Sequence, residues 1–450
     1  MFTGITEYQG KKYNFKIEED TLRIESIDDD GFCWMDALEN EKRELTQREF
    51  RCECFFTGEV LIALSQSKYY SFTNNTMVIK LHAVIVFRSE VSPIYRMVFY
   101  SPELDSILET RKAFDSIEYS TDGSIKMSIK PSADTTLIDG KFTIMDSEIE
   151  IQFAIARAVS FDNSSQPVEL HGIMIFKFSA QDSIEMFVRM SEYAKMFLSF
   201  LCYRNNTSFR KISLQKKNEK GQFLECGECV IFSSDEIENS TLIAERRIPY
   251  SYIREKACLL LQDIVQGALY LRHIPYSYRD SRRISPARFV LIMAAFDWEF
   301  RKMYPDGLPK SSAREAAERI AKDTLSDLVE SSTGKLKNIY KYLLDRTQDT
   351  SMQTKIAHTC NDNSEIASIL GKQLYSSNSG ALDFSLISER LGKQRNNFAH
   401  GNIQDPVSDH AVLDFLFLER IIYVMQLSRY LKDDTPIVNA ISELFNLNLK

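Results

Sequence analysis

Residues 77–87 of the chain read MVIKLHAVIVF. Within this stretch the polar Lys80 and His82 alternate with apolar neighbours, and a period of two residues is typical of a β-strand with one buried face. Similar runs rich in Ile, Val, Phe and Tyr occur at 60–64, 95–100, 148–155, 173–178, 209–214 and 229–232. One helical pattern, over residues 182–203, interrupts them. The first half therefore predicts a β-sandwich or barrel-like domain with an embedded helix.

Beyond about residue 245 the hydrophobic period becomes helical. Ser285-Pro286 is typical of a helix start, Ser312 to Glu315 fits a capping box, and Asp405-Pro406 indicates the start of another helix. Further helices are predicted over 252–271, 335–345, 364–374, 383–399 and 436–445. The fold class is therefore α+β, with a β-rich domain at 1–240 and an all-α bundle at 241–450.

Composition limits the classes of function. The 450 residues are 44% hydrophobic and 26% charged, with a net charge of −8. A negative chain has no global field that attracts phosphates, so any nucleic-acid contact needs a local basic cleft. The first residues are neither basic nor strongly apolar, and the longest apolar run, 289–296, is too short to span a bilayer. We expect a cytoplasmic protein without a membrane segment, whose eight cysteines are reduced.

The stretch most suggestive of chemistry is residues 390–402, RLGKQRNNFAHGN. The apolar side chains of this helix can face a core: Phe384, Ile387, Leu391 and Phe398. That orientation turns Arg395, Asn396 and His400 toward another side, with Asn396 and His400 on one face. Gly401 predicts the helix end, so His400 lies in the last turn, where the helix dipole favours a protonated imidazole.

These residue types suit a phosphodiester reaction without a metal. The guanidinium of Arg395 matches a phosphate, and His400 can transfer a proton to or from the reacting oxygens. RNA supplies its own nucleophile in the 2′-hydroxyl. Because one His cannot be base and acid at once, a two-fold homodimer that doubles the set is the expected arrangement. The spacing alone also fits an interhelical arginine and a capping histidine, and it does not separate the two interpretations.

The same stretch resembles the R-x4–6-H motif of HEPN domains, with Arg395 and His400 as its ends, a polar residue after the arginine and a glycine after the histidine. The resemblance extends to the all-α context. The helix at 286–304 is similar to an earlier core helix of that fold, which often carries an acidic residue, here Glu299. On this basis Arg395 and His400 are the expected catalytic pair, Asn396 the orienting residue and Glu299 a neighbour.

The whole arrangement resembles ApeA-type proteins of bacterial anti-phage defence, closely over the helical half and only in architecture over residues 1–240. The resemblance implies a metal-independent endoribonuclease without a cofactor, which acts as a homodimer and leaves a 2′,3′-cyclic phosphate. It would cut host RNA, with tRNA as the candidate, when the N-terminal domain senses a phage signal, and so cause abortive infection. Substrate contacts are expected from Lys393, Asn397, Arg282 and Arg283. The alternative is a non-catalytic RNA-binding or sensing module, or a toxin–antitoxin component.

Two other patterns have competing interpretations. Cys226 and Cys229 form a lone C-x-x-C, which favours a turn with two reduced thiols over a zinc site, because zinc needs two further ligands. Residues 246–288 interleave arginines with tyrosines, which suits either stacking of unpaired bases or a solvated surface with structural tyrosines.

Overall fold

The computed structural model describes residues 1–27, 43–73, 76–88, 90–119, 125–129, 140–159, 168–233, 236–309, 311–346, 350–375, 382–399 and 409–447. A β-rich region comes first and a helical region follows, so the predicted α+β class is confirmed. The chain divides into two compact units. The first comprises 1–268, 274–280 and 443–446, and the second comprises 269–273, 281–442 and 447–450.

The first unit holds the strands β1 Phe2–Tyr8, β2 Lys11–Glu18, β3 Thr21–Ser26, β4 Arg43–Glu44, β5 Glu49–Cys54, β6 Val60–Ser65, β7 Tyr69–Thr73, β8 Thr76–Phe87, β9 Ile94–Tyr100, β10 Phe114–Tyr119, β11 Ile125–Ile129, β12 Gly140–Ile144, β13 Ser147–Val159, β14 Val168–Gln181, β15 Lys211–Lys217 and β16 Phe223–Ile231. Its helices are α1 Pro102–Ile107, α2 Ile184–Cys202, α3 Ser240–Glu245, α4 Tyr250–Ile253, α5 Ala257–Val265 and the 3-10 turns Thr110–Ala113 and Arg254–Lys256. The short α6, Tyr278–Ser281, ends at the first residue of the second unit's 281–442 segment.

Six antiparallel strands close into a ring in the order β8-β3-β2-β1-β5-β6 and back to β8. Strand β8 makes this possible because it is long: Thr76–Lys80 pair with β3, and Leu81–Phe87 pair with β6. Gly4 of β1 permits the close approach of β5, since a Cβ there would lie 1.9 Å from the Glu53 carbonyl oxygen. The barrel-like prediction is confirmed.

The sheet continues from β8 through β16, β15, β9, β14 and β13 to β12. Alternate side chains of β8, including Met77, Ile79 and Leu81, are buried, as its sequence period predicts. The embedded helix is α2, which begins at the side-chain cap of Ser183 and ends at Tyr203 in the left-handed conformation. Its bounds agree with the predicted 182–203 to within two residues.

The second unit is built from the helices α7 Pro286–Met303, α8 Ser312–Ser331, α9 Gly334–Arg346, α10 Met352–Asp362, α11 Ser364–Leu374, α12 Phe384–Ala399, α13 Asp409–Leu427 and most of α14 Asp434–Phe445. Buried side chains of α7, α10, α11, α12 and α13 form one apolar core. Among the described residues, no helix combines the length and the apolar character that crossing a membrane requires.

Two helix predictions need correction, and one helix was missed. The single helix expected over 252–271 is broken into α4, a 3-10 turn and α5. The cap of α8 is Ser311, whose hydroxyl accepts from the Arg314 amide, so the capping box at Ser312 is wrong by one residue. The helix α10 was not predicted at all. Short helices that join a larger core carry weak periodicity, because tertiary contacts replace local propensity.

The first unit extends past residue 240, the domain boundary predicted from the change of hydrophobic period. Helix α5 belongs to it: the Gln262 side chain accepts from the Thr143 amide of β12 at 3.0 Å, and a Cβ on Gly140 would lie 2.4 Å from Cβ of Cys258. A change of period marks a change of secondary structure, and it does not say which core the new helices join.

Candidate functional site

Helix α12 presents two faces, and its core face is as predicted. Ile387, Leu391 and Phe398 are buried, and Phe384 packs against the same cluster. Arg395 and Asn396 are exposed on the other side. This confirms that the hydrophobic spacing of the helix turns the two polar residues of the motif toward solvent.

The Arg395 guanidinium contacts its neighbour on the helix, since Nη1 donates to Oδ1 of Asn396 at 3.3 Å. No carboxylate in the described part of the chain forms an ion pair with it. The arginines that cross-link the helices of this unit are different ones. Arg288 pairs with Glu419, Arg390 with Asp414, and Arg429 with Glu299. The interpretation of Arg395 as an interhelical arginine is therefore not supported, and its donors face solvent.

His400 and Gly401 lie outside the described residues, and α12 is described as far as Ala399. The distance between Arg395 and His400, and the helix stop at Gly401, stay predictions. His410, which is described, is exposed in the first turn of α13.

A second group of cations is held at the start of α7. Nη1 of the buried Arg288 donates to the carbonyl oxygens of Ser281 at 2.7 Å and Arg283 at 2.9 Å, while Nη2 pairs with Glu419. This clamp fixes the backbone that carries Arg282 and Arg283, whose side chains are exposed. A rigid backbone under exposed arginines lowers the entropy cost of binding an anion.

The start of α7 and the last turn of α12 are at the same end of the helical unit. The ring of Phe289, one residue after Arg288, contacts the ring of Phe398 edge-on with centroids 5.2 Å apart. Phe415 of α13 stacks on Phe289 at 5.7 Å and lies under the Arg288 guanidinium at 5.0 Å. Three helices thus bring Arg282, Arg283 and Arg395 to one end of the unit, although they are more than 110 residues apart in the chain.

The other two predicted substrate contacts, Lys393 and Asn397, are less free to bind a substrate than Arg395. Lys393 is exposed and paired with Glu389 one turn earlier, at 2.7 Å. A surface pair of this kind is weak, so the ammonium remains available to an anion. Asn397 is half-buried.

Glu299 is fully buried and satisfied. Its Oε1 accepts from the Tyr270 amide at 3.0 Å and from Nε2 of Gln426 at 2.9 Å, and its Oε2 pairs with Arg429. Burial raises the pKa of Glu299, an effect that Arg429 opposes. Such a carboxylate cross-links helices, because a buried charge requires a partner in the interior. The geometry favours a structural role for Glu299 over the neighbouring role expected from the resemblance.

The sequence interpretation missed a residue that positions the motif. Arg390, five residues before Arg395, donates to both carboxylate oxygens of the buried Asp414 at 2.6 and 2.7 Å. The Tyr375 hydroxyl donates to the same carboxylate at 2.5 Å. This network ties α12 to α11 and α13. The available signal was Asp414 itself, a carboxylate within the apolar pattern of α13.

The basic and aromatic segment does not form a continuous track for bases. Tyr250 and Tyr278 are buried, Arg246 lies over the ring of Tyr278 at 3.7 Å, and Arg247 is paired with Glu109 and Glu443. The structural interpretation of these tyrosines and arginines is favoured.

Cys226 and Cys229 lie within strand β16, so the predicted turn is wrong. Both are buried, and burial raises the pKa of both thiols, that of Cys229 to about 12. Among the described residues, no cluster of three or more His, Cys, Asp or Glu side chains could hold a metal ion.

Comparison with family models, with curated proteins and with solved structures found no significant match to this chain.

Proposed function

We propose that the chain is a metal-independent endoribonuclease whose active site lies at the end of α12. The observation that supports it is the environment of Arg395: an exposed guanidinium, braced by Asn396 and without a carboxylate partner in the described chain, at the end of the unit that also carries Arg282 and Arg283. Several exposed cations on rigid backbone make a local phosphate site on an acidic chain.

In the proposed reaction the RNA 2′-hydroxyl attacks the adjacent phosphorus. The bond from O2′ to phosphorus forms, the bond from phosphorus to O5′ breaks, and a 2′,3′-cyclic phosphate and a 5′-hydroxyl result. Arg395 binds the non-bridging oxygens and stabilises the charge that develops on them. His400 gives a proton to the leaving O5′, and His400 of a second protomer takes the proton from the 2′-hydroxyl. Asn396 orients the Arg395 guanidinium.

The biological setting follows from the resemblance to ApeA-type proteins. The helical unit cuts host RNA, with tRNA as the candidate, and the β-rich unit restrains it until a phage signal arrives. We propose this as the context of the activity, and growth arrest on phage challenge should then be lost in Arg395→Ala.

The test is cleavage of total tRNA in the presence of a chelator by the full chain and its variants. Arg395→Ala and His400→Ala should each lower the rate by at least about 100-fold, the scale of losing one charge-stabilising or proton-transfer group. Arg301→Ala is the matched control, because Arg301 is an exposed arginine of α7 that pairs with Asp297 on its own helix.

The products should carry a cyclic phosphate, which mass spectrometry of the released fragments detects. Cleavage that persists in His400→Ala, or that stops in chelator, contradicts the proposed mechanism. A protein that binds tRNA, loses that binding in Arg395→Ala, and never cuts it is the non-catalytic binding module.

A further inference from the structure

Helices α8 and α9 form a hairpin with a turn at Ser332 and Thr333. Neither helix has a buried residue among those described. An isolated helix as short as α9 is marginal in water without tertiary packing. The hairpin therefore carries much less apolar burial than the other helices of its unit.

The hairpin nevertheless carries many large apolar side chains, and packing between its two helices covers only some of them. The half-buried ones are Leu325, Leu328, Val329, Tyr340 and Leu344. The exposed ones are Ile320 at 68%, Leu336 at 50%, Ile339 at 53%, Tyr342 at 54% and Leu343 at 43%. Leu336, Ile339 and Leu343 repeat at intervals of three and four residues, so they form a stripe along α9.

Three of the exposed apolar side chains lie on the same side of the hairpin. Each residue turns by about 100° around its helix. The half-buried side chains of each helix face the other helix and give the reference direction. Measured from that direction at 100° per residue, Ile320 of α8 and Leu336 and Leu343 of α9 point toward the same flank of the antiparallel pair. The result is an apolar face roughly 10 to 15 Å long, formed mainly by α9 with Ile320 of α8 at one end.

Charge distinguishes the two helices. Over 312–331, α8 has five acidic and three basic side chains, a net charge of −2. Over 334–346, α9 has three lysines, one arginine and one aspartate, a net charge of +3. Two copies of such a hairpin attract each other when α8 of one lies over α9 of the other.

We infer that the apolar face of the α8–α9 hairpin binds the same face of a second copy of this chain, forming a two-fold, antiparallel four-helix bundle. A two-fold axis parallel to the helices of the hairpin places the acidic α8 of each copy over the basic α9 of the other. The turns of the two hairpins then lie at the same end of the bundle, which brings Asp327 of one copy near Lys335 of the second copy. A perpendicular axis would place like helices together, so the charges select one geometry.

This inference does not rest on the nuclease proposal, and its readout is mass in solution. Sedimentation velocity of the full chain should show a concentration-dependent dimer. Leu336→Glu combined with Ile339→Glu should weaken dimerisation by about 100-fold. Ile369→Glu on α11, 42% exposed in the same unit, is the matched control and should leave the dimer unchanged. All these side chains are exposed, so circular dichroism should show the wild-type helix content.

The charge pattern allows a second test, which checks the geometry of the dimer by charge reversal. Asp327→Lys alone should weaken the dimer, and adding Lys335→Asp should restore it. A wild-type chain that stays monomeric at its highest soluble concentration, or a dimer that the Leu336→Glu and Ile339→Glu pair leaves intact, overturns the inference. Arg395→Ala should dimerise normally, so failure of the nuclease proposal is distinguishable from failure of this one.

Discussion

Arg390 and Arg395 are five residues apart on one helix and have opposite environments. Arg390 is held bidentately by the buried Asp414, whereas Arg395 is exposed and contacts only the amide of Asn396 among the described partners. The sequence alone does not distinguish them, because both are arginines on the polar side of an amphipathic helix. The difference follows from the angle at which each leaves the helix relative to the core residues Ile387 and Leu391. A guanidinium with unused donors is the one that can bind a phosphate.

A second residue with an unusual environment is His273, which is 1% exposed between the rings of Tyr270 and Tyr423. Burial lowers its pKa from 6.5 to about 4. Between these values the unfolded chain binds the proton and the folded chain does not. The unfolding free energy should therefore fall as pH drops from about 6.5 to 4, by up to about 3 kcal/mol, and be fully present above 6.5.

Urea unfolding of the helical unit at pH 7, 5.5 and 4.5 measures this dependence. His273→Phe keeps the ring contacts and should flatten the profile. An unchanged slope in His273→Phe would show that other groups cause the acid sensitivity.

At the scale of the element, the end of α12 is positioned by one aromatic contact. Phe398 is 8% exposed and meets Phe289 of α7, while the Arg390 network fixes the middle of the helix. The polar residues of the motif occupy the opposite face. The direction in which the polar residues of the motif point thus depends on the core residues of the same helix. The spacing of those core residues in the sequence was enough to predict it.

Phe398→Ala should lower the unfolding free energy by about 3 to 4 kcal/mol, because it removes a buried ring and leaves a cavity. Phe398→Leu should cost less, about 1 kcal/mol. The control is Leu386→Ala on the same helix, which is 47% exposed and should change stability by under about 0.5 kcal/mol. Chemical denaturation followed by circular dichroism gives all three values. Equal losses for Phe398→Ala and Leu386→Ala would mean that Phe398 does not anchor the helix.

At the scale of the whole molecule, the chain does not simply finish one unit and begin the next. Residues 443–446, near the C-terminal end of the described chain, belong to the first unit. There Glu443 pairs with Arg247 at 2.6 Å, and the ring of Phe445 lies 4.9 Å from that of Tyr203. The β-rich unit therefore needs residues that are more than 200 positions beyond its last strand to complete its packing.

Phe445→Ala should consequently destabilise the first unit, by about 1 to 2 kcal/mol for a half-buried aromatic contact. Hydrogen exchange around Tyr203 should speed up in this variant, followed by mass spectrometry of peptides from the end of α2. Phe56→Ala serves as the control, because Phe56 is 90% exposed. Unaltered exchange at Tyr203 would indicate that the first unit is complete without residues 443–446.

The amino-acid sequence by itself determined the α+β class, the strand alternation of β8, the bounds of α2 and α11, and the outward direction of Arg395 and Asn396. These features depend on spacing within a few turns or residues, where side-chain periodicity decides which face is buried. Only the tertiary structure decided that β8 closes a barrel and that α5 joins the sheet unit. It also decided that Glu299 forms an ion pair with Arg429, and that Arg282 and Arg283 lie at the same end of the helical unit as Arg395. These features depend on contacts between residues far apart in the chain, and no local pattern encodes which distant partner a side chain will meet.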